Sequence, residues 1–229
     1  MGKPHDILPA VSPAAQVALL WLLFAGTHLG LASRRVEPAL TARLGRNGYL
    51  GLYSAVALAL FVPLVWVYFT HRHAGASLWS FQATGWLRAA LYAGLLFAFV
   101  LIVASSLRPS PAAIVPGEAK PAGVYLLTRH PLMTGFTLVG LLHLPMNGAA
   151  SDIAFFGGMA LFPLLGAWHQ DRRKLASGDP KFRAFYDATP FVLFTGRETL
   201  RGLRELPPLA LGLAVALALF ARWLHGSIW

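Results

Sequence analysis

The sequence predicts an all-α fold, a polytopic membrane helical bundle of about six transmembrane helices, and three observations predict it. Hydrophobic residues make up 56% of the 229 positions and charged residues only 12%, about half the charged share of a soluble domain. Apolar runs as long as a bilayer span demands, roughly 17 to 25 residues, recur along the chain. The basic residues fall in alternate connecting segments instead of evenly.

Taken in order, the runs cover residues 14–32, 48–70, 85–107, 131–146, 151–169 and 207–224. They leave no room for a separate soluble domain, so residues 1–229 are expected to form one transmembrane domain. The first run ends in Gly26-Thr27-His28-Leu29-Gly30-Leu31-Ala32-Ser33-Arg34-Arg35. Gly26 and Gly30 have the small-x-x-x-small spacing that lets helices approach closely. His28 lies about 200° round from Gly26 at helical pitch and shares its face with Trp21 and Phe24. Only Lys3 precedes this run and an Arg pair follows it, so it reads as a permanent span, not a cleaved signal peptide.

The second run is apolar and aromatic, carries Pro63 as a kink site, and exits at His71-Arg72-His73. The third ends near Leu107-Arg108-Pro109 and gives way to a Pro/Gly-rich stretch, 109–123, which reads as loop. Arg129-His130-Pro131 opens the fourth, where proline suits a first helical turn because the amide it lacks has no intrahelical partner there. A tight Asn147-Gly148-Ala149-Ala150 connection joins the fourth and fifth runs as a helical hairpin, each arm about 25 Å long at 1.5 Å per residue. Beyond His169, Phe182, Phe185 and Tyr186 recur at i, i+3, i+4 with cations between them. That pattern suits a short helix on the membrane surface. The sixth run rests on hydropathy alone.

Nineteen Lys and Arg against nine Asp and Glu give a net charge of +10. Arg34, Arg35, Arg43 and Arg46 follow the first run; Arg108, Lys120 and Arg129 follow the third; Arg172, Arg173, Lys174, Lys181, Arg183, Arg197, Arg201 and Arg204 follow the fifth. The alternate segments carry little beyond Lys3, Arg72 and Arg222. This is the positive-inside pattern, with both termini on the outer, periplasmic side. The basicity is topological; membrane lipid, and no nucleic acid, is the expected partner. Absence of cysteine excludes disulfides, thiolate catalysis and Cys-type zinc or iron–sulfur sites.

The same topology is expected to bring His28, His130 and His169 to one depth near the cytoplasmic face. Ionisable residues at membrane depth are costly and face a bundle interior, a cavity or a bound group. Three imidazoles at one level point to a metal or a metal-bearing cofactor, since neutral imidazole binds iron without adding charge to the membrane. For His28 the structural alternative is a buried imidazole hydrogen-bonded to a neighbouring helix. His130 reads equally well as a helix cap, or as a partner for a propionate or a substrate. Arg34, Arg172 and Arg173 are either cytoplasmic anchors or charge-assisted partners for an anionic cofactor group. Asp171 could orient a ligand or pair with an arginine, and the pair is preferred. His143 is expected in hairpin packing, His71 and His73 in solvent, and His5 and His225 at the termini without a role. There is no Walker-type or dinucleotide glycine loop, no His-Glu-x-x-His and no Gly-x-Ser-x-Gly. So few carboxylates, nearly all outside the spans, do not suit a proton-coupled transporter.

The run 26–34, the stretches Leu44-Gly45-Arg46 and Gly51-Leu52-Tyr53-Ser54, Thr128-Arg129-His130-Pro131, and Ala167-Trp168-His169-Gln170-Asp171-Arg172-Arg173 together resemble the NnrU family. That family includes the 15-cis-zeta-carotene isomerases, and the likeness covers about residues 14 to 195. The resemblance implies a bacterial inner-membrane protein holding haem b, with His28 and His169 as iron ligands and Arg34, Arg172 and Arg173 as propionate partners. It also implies cis–trans isomerisation of a lipophilic polyene, controlled by the iron's redox state, or a link to nitrite and nitric oxide reduction. His130 is left as a third cofactor or substrate contact. Tyr125-x-x-x-Arg129-His130-Pro131-x-x-x-Gly135 is in addition similar to membrane methyltransferases of the isoprenylcysteine carboxyl type. Those use S-adenosylmethionine, but carry paired glutamates where this chain has His169-Gln170-Asp171. A non-enzymatic haem sensor or assembly factor is the remaining alternative.

Overall fold

Helices form where the apolar runs lie, and the differences from expectation fall at their polar ends. The computed structural model describes residues 11–111, 117 and 120–228; Lys3, His5 and part of the 109–123 loop lie outside the described residues. The helices are α1 (Pro13–Leu31), α2 (Val36–Thr70), α3 (Gly85–Leu107), α4 (Pro131–His143), α5 (Ala150–Leu175), α6 (Pro180–Ala188), α7 (Thr199–Arg204) and α8 (Pro208–Ile228), with 3₁₀ turns at Gly123–Leu126 and Leu144–Met146. α1, α2, α3, α5 and α8 are long and apolar enough to cross a membrane, while Pro131–Met146 is a shorter apolar segment. No strand occurs among the described residues, only an isolated antiparallel bridge between Ser77 and Ala149. The protein is a polytopic helical membrane bundle.

α1 starts at a Ser12 cap whose hydroxyl accepts from the Ala15 amide at 3.3 Å, with Pro13 following. α2 begins at Val36, well before the apolar run at 48. At Gly45 the backbone leaves the helix (φ 70, ψ 168), in a region essentially confined to glycine. α2 is therefore two pieces: a polar foot with an Arg46–Glu37 ion pair at 3.1 Å across the break, and an apolar span carrying Pro63. α5 likewise continues past His169 through the charged run to Leu175. Hydropathy registers the span and not the helix.

The chain divides into two compact units. The first comprises the described residues up to Phe81 with Leu144–Gly158, so it takes the first turns of α5. Here Trp21 Nε1 donates to the Phe155 carbonyl at 3.1 Å. A Cβ at Gly158 would lie 2.3 Å from the Trp21 ring, so only glycine lets the indole sit there. The Tyr68 ring stacks on Phe155 with centroids 3.9 Å apart. The Tyr68 hydroxyl (3.1 Å), the His73 amide (3.2 Å) and His73 Nδ1 (2.8 Å) converge on the Asp152 carboxylate, which is only 1% exposed. Sequence placed His73 in solvent; its ring is largely exposed, but its Nδ1 is held by Asp152. The loop after α2 pairs with the start of α5 through Ser151 N to Ala74 O (3.1 Å), Ala150 N to Ala76 O (3.0 Å) and Leu78 N to Gly148 O (2.9 Å).

The second unit holds Gln82–His143 and the chain from Met159 onward. α3 packs against α4 and α8. At Gly135 a Cβ would lie 2.8 Å from the Ala98 carbonyl, so the α3–α4 approach requires its absence. Thr137 donates to the Ala160 carbonyl at 3.2 Å, tying α4 to the second part of α5. α6 is capped by Asp179, whose carboxylate accepts from the Lys181 amide at 2.9 Å. The short helix expected here forms, but its aromatic face is covered by protein and not left for lipid: Phe182 and Phe185 pack with Leu101, Val124 and Leu127 in the core of this unit. Packed against protein, the two rings gain fixed close contacts that fluid lipid does not supply.

Candidate functional site

A charged cluster is buried in the second unit, assembled from three parts of the chain. The four residues before α4 are fixed against the segment after α6. Arg129 N donates to Pro190 O at 2.7 Å, Phe194 N to Leu127 O at 3.0 Å, and the Thr128 hydroxyl to Phe191 O at 2.9 Å. With the backbone so held, Arg129 and His130 turn towards Asp171 on α5. His130 Nε2 lies 2.7 Å from Asp171 Oδ1, and Arg129 Nε lies 3.0 Å from Oδ2. An ionised carboxylate can only accept, so His130 donates through Nε2. Arg129 Nη1 donates to the carbonyls of Tyr186 and Thr189, both at 2.7 Å, and the guanidinium stacks on the Tyr186 ring at 3.9 Å. Arg129, His130 and Asp171 are 7%, 5% and 5% exposed. Charges so deep persist when paired and hydrogen-bonded; Asp171 pairs with Arg129, and Arg129 Nη1 and His130 Nε2 are hydrogen-bonded, while Arg129 Nε makes no hydrogen bond.

Beside the cluster opens a cavity of about 350 Å³, lined among others by Ser105, Tyr125, Pro131, Met133 and Gln170, together with Arg129 and His130. The Tyr125 hydroxyl donates to the Arg108 carbonyl at 2.5 Å. Burial pushes this phenol up to about 12, against an opposing hydrogen bond with Ser110.

The other expected residues are placed as follows. His28 is half-buried in the first unit, its ring 5.1 Å from Phe24 and 4.6 Å from Tyr53; Trp21 and Phe24 share its face, as helical pitch requires. His169 is half-buried on α5 in the second unit, two residues before Asp171. Arg34 is exposed in the turn after α1, Arg172 is exposed with its guanidinium 4.7 Å over the Trp168 ring, and Arg173 is half-buried. His143 bonds its own helix at Val139 O (2.7 Å) and lies 6.4 Å from the His225 ring. Among the described residues no group of three or more His, Asp or Glu is arranged to hold a metal ion directly. The preference for pairing Asp171 with an arginine names one of its two partners. His130, singled out in the sequence for a cofactor or substrate, is the other; the Tyr186 and Thr189 carbonyls carry no sequence signal, because main-chain acceptors have no residue identity.

The NnrU protein family model matches residues 16–229. The chain belongs to the NnrU family. Among curated relatives, the chloroplastic 15-cis-zeta-carotene isomerase of Zea mays is 28% identical over 210 residues, covering 88% of this chain and 56% of its own length. That of Arabidopsis thaliana is 28% identical over 200 residues, covering 82% and 53%. The chain thus spans about half the length of the curated relatives it matches. No solved structure matches.

Proposed function

We propose that this NnrU-family protein is a membrane-embedded cis–trans isomerase of a lipophilic polyene, of the kind its relatives are named for. The observation that carries the reading is the similarity to two 15-cis-zeta-carotene isomerases over more than four-fifths of this chain. A helical membrane bundle suits it, because a polyene partitions into lipid and reaches such a protein from the side.

The proposal includes haem b, with His28 and His169 as the ligands carried over by motif. The donor chemistry fits. His28 lies in an aromatic, apolar setting beside Phe24 and Tyr53, imidazole being a known haem ligand, and His169 is half-buried just before a basic run. Bound haem would supply an iron whose ligation changes with redox state. Arg34, Arg172 and Arg173 are its proposed propionate partners. His130 is assigned away from the iron because its Nε2 is engaged by Asp171. The proposed location is the inner membrane of a bacterium.

The test is conversion of 15-cis-zeta-carotene by haem-replete, reduced membranes containing the protein, followed by chromatography of the isomers. Absence of turnover with haem bound would sink the isomerase reading and favour the sensor or nitrogen-oxide role. Retention of labelled S-adenosylmethionine in equilibrium dialysis would instead favour the methyltransferase resemblance at Arg129 and His130.

A further inference from the structure

The cavity beside Arg129 has an imbalance of donors and acceptors that says what it can hold. Ser105 and Ser106 both donate their hydroxyl protons to the Ile102 carbonyl, at 2.9 and 2.8 Å. Tyr125 donates to Arg108 O. Both oxygens of Asp171 are engaged, by His130 and by Arg129. Arg129 donates through Nη1 to the Tyr186 and Thr189 carbonyls, while its Nε is ion-paired with Asp171 Oδ2 at 3.0 Å without making a hydrogen bond. Its second amino group, Nη2, has no acceptor among the described residues, and Arg129 lines the cavity with a side chain only 9% exposed. A guanidinium carries five N–H donors and no acceptor, so the charged donors left over here call for an oxygen-bearing ligand. The neighbouring wall is apolar, from Pro131, Leu132 and Met133.

We infer that this cavity is a binding site for an amphipathic anion, a carboxylate or phosphate head on an apolar chain, with Arg129 Nη2 gripping the head and Asp171 holding the guanidinium in place. A buried guanidinium binds an oxyanion by charge-assisted hydrogen bonds that an alcohol cannot match. The volume lies within the range of small-molecule sites. The inference rests on neither haem nor isomerase activity. It concerns an anionic head, which a hydrocarbon polyene lacks.

The test is calorimetric titration of the full chain in lipid nanodiscs, with empty discs subtracted, using octanoate, octyl phosphate, octanol and octylammonium. The two anions are expected to bind about tenfold or more tighter than octanol, with octylammonium weakest. Arg129→Lys, which keeps the charge and loses Nη2, and Ser106→Trp, which fills the exposed rim, are each expected to weaken the anions by about tenfold. Should Arg129→Lys fail to fold, Ser106→Trp and the alcohol comparison still decide, since Ser106 lies outside the buried cluster. Octanol binding as tightly as octanoate, or an affinity untouched by Ser106→Trp, overturns the inference. Repeating the octanoate titration after haem addition identifies the source: exclusion assigns the head to a haem propionate, and unchanged binding assigns it to a lipid-like ligand.

Discussion

His130 Nε2 and Asp171 Oδ1 lie 2.7 Å apart although 41 residues separate them in the chain, and the same carboxylate holds Arg129 through its other oxygen. One side chain of α5 thereby sets the orientation of both residues that precede α4. Asp171→Ala removes the acceptor from a buried cation and is expected to cost about 3–5 kcal/mol of stability, read from denaturant or thermal unfolding in detergent. A loss no larger than that of an exposed substitution would mean that the three groups are not coupled.

The break in α2 depends on its glycine. Nothing lies within 4 Å of a Cβ built at Gly45, so Gly45→Ala tests backbone strain without a clash. The expected loss is about 1–3 kcal/mol. A melting temperature equal to that of the parent would show that the foot and the span tolerate another angle.

Tyr68→Phe removes one of three hydrogen bonds to the buried Asp152. A hydrogen bond to a charged group contributes about 1.5–3 kcal/mol, and that is the expected loss. Hydrogen exchange should quicken at the amides of Ala150, Ser151 and Leu78, which cross-link the loop to α5.

Alkaline stability reports on the cavity wall. The folded protein holds the Tyr125 phenol at about 12, above its ordinary 10.0, through burial. The corresponding stability is fully present below pH 10.0 and is lost as pH rises through about 12. Tyr125→Phe should flatten this part of the pH profile, and a profile identical in the two proteins would contradict it.

The haem proposal predicts a reduced-minus-oxidised visible spectrum of a low-spin haem in the purified protein. His28→Ala and His169→Ala should each abolish it or convert it to high spin. A colourless protein after expression with ample haem would remove both ligands from consideration.

The spans were legible because apolar runs of bilayer length admit little but helix. Their polar ends were not: Arg43, Arg46 and Asn47 hide the foot of α2, and Gln170 to Lys174 hide the last turns of α5, since a helix at an interface needs no hydropathy. Within the charged cluster, Asp171 was legible as the partner of an arginine because a buried carboxylate must have a cation. That the arginine is Arg129, sharing its partner with His130, was not, because it depends on Pro190 and Phe191 fixing the backbone ahead of α4. Asp152 gave no signal, as its partners are one tyrosine and one histidine of an ordinary-looking loop.

The division of α5 between the two units bears on how the chain is made. Trp21 and Tyr68 find Phe155 only in Leu144–Gly158, which leaves the ribosome after α3 and α4. Trp21 and Tyr68 therefore lack Phe155 while about sixty further residues are synthesised, several seconds at about 5–20 residues per second, and until then α1 and α2 have each other's rings, as in the Trp21–Phe61 and Phe24–Phe61 contacts. A translational stall between Phe81 and Leu144 would leave the Trp21 indole without its Phe155 carbonyl acceptor and Tyr68 without Asp152.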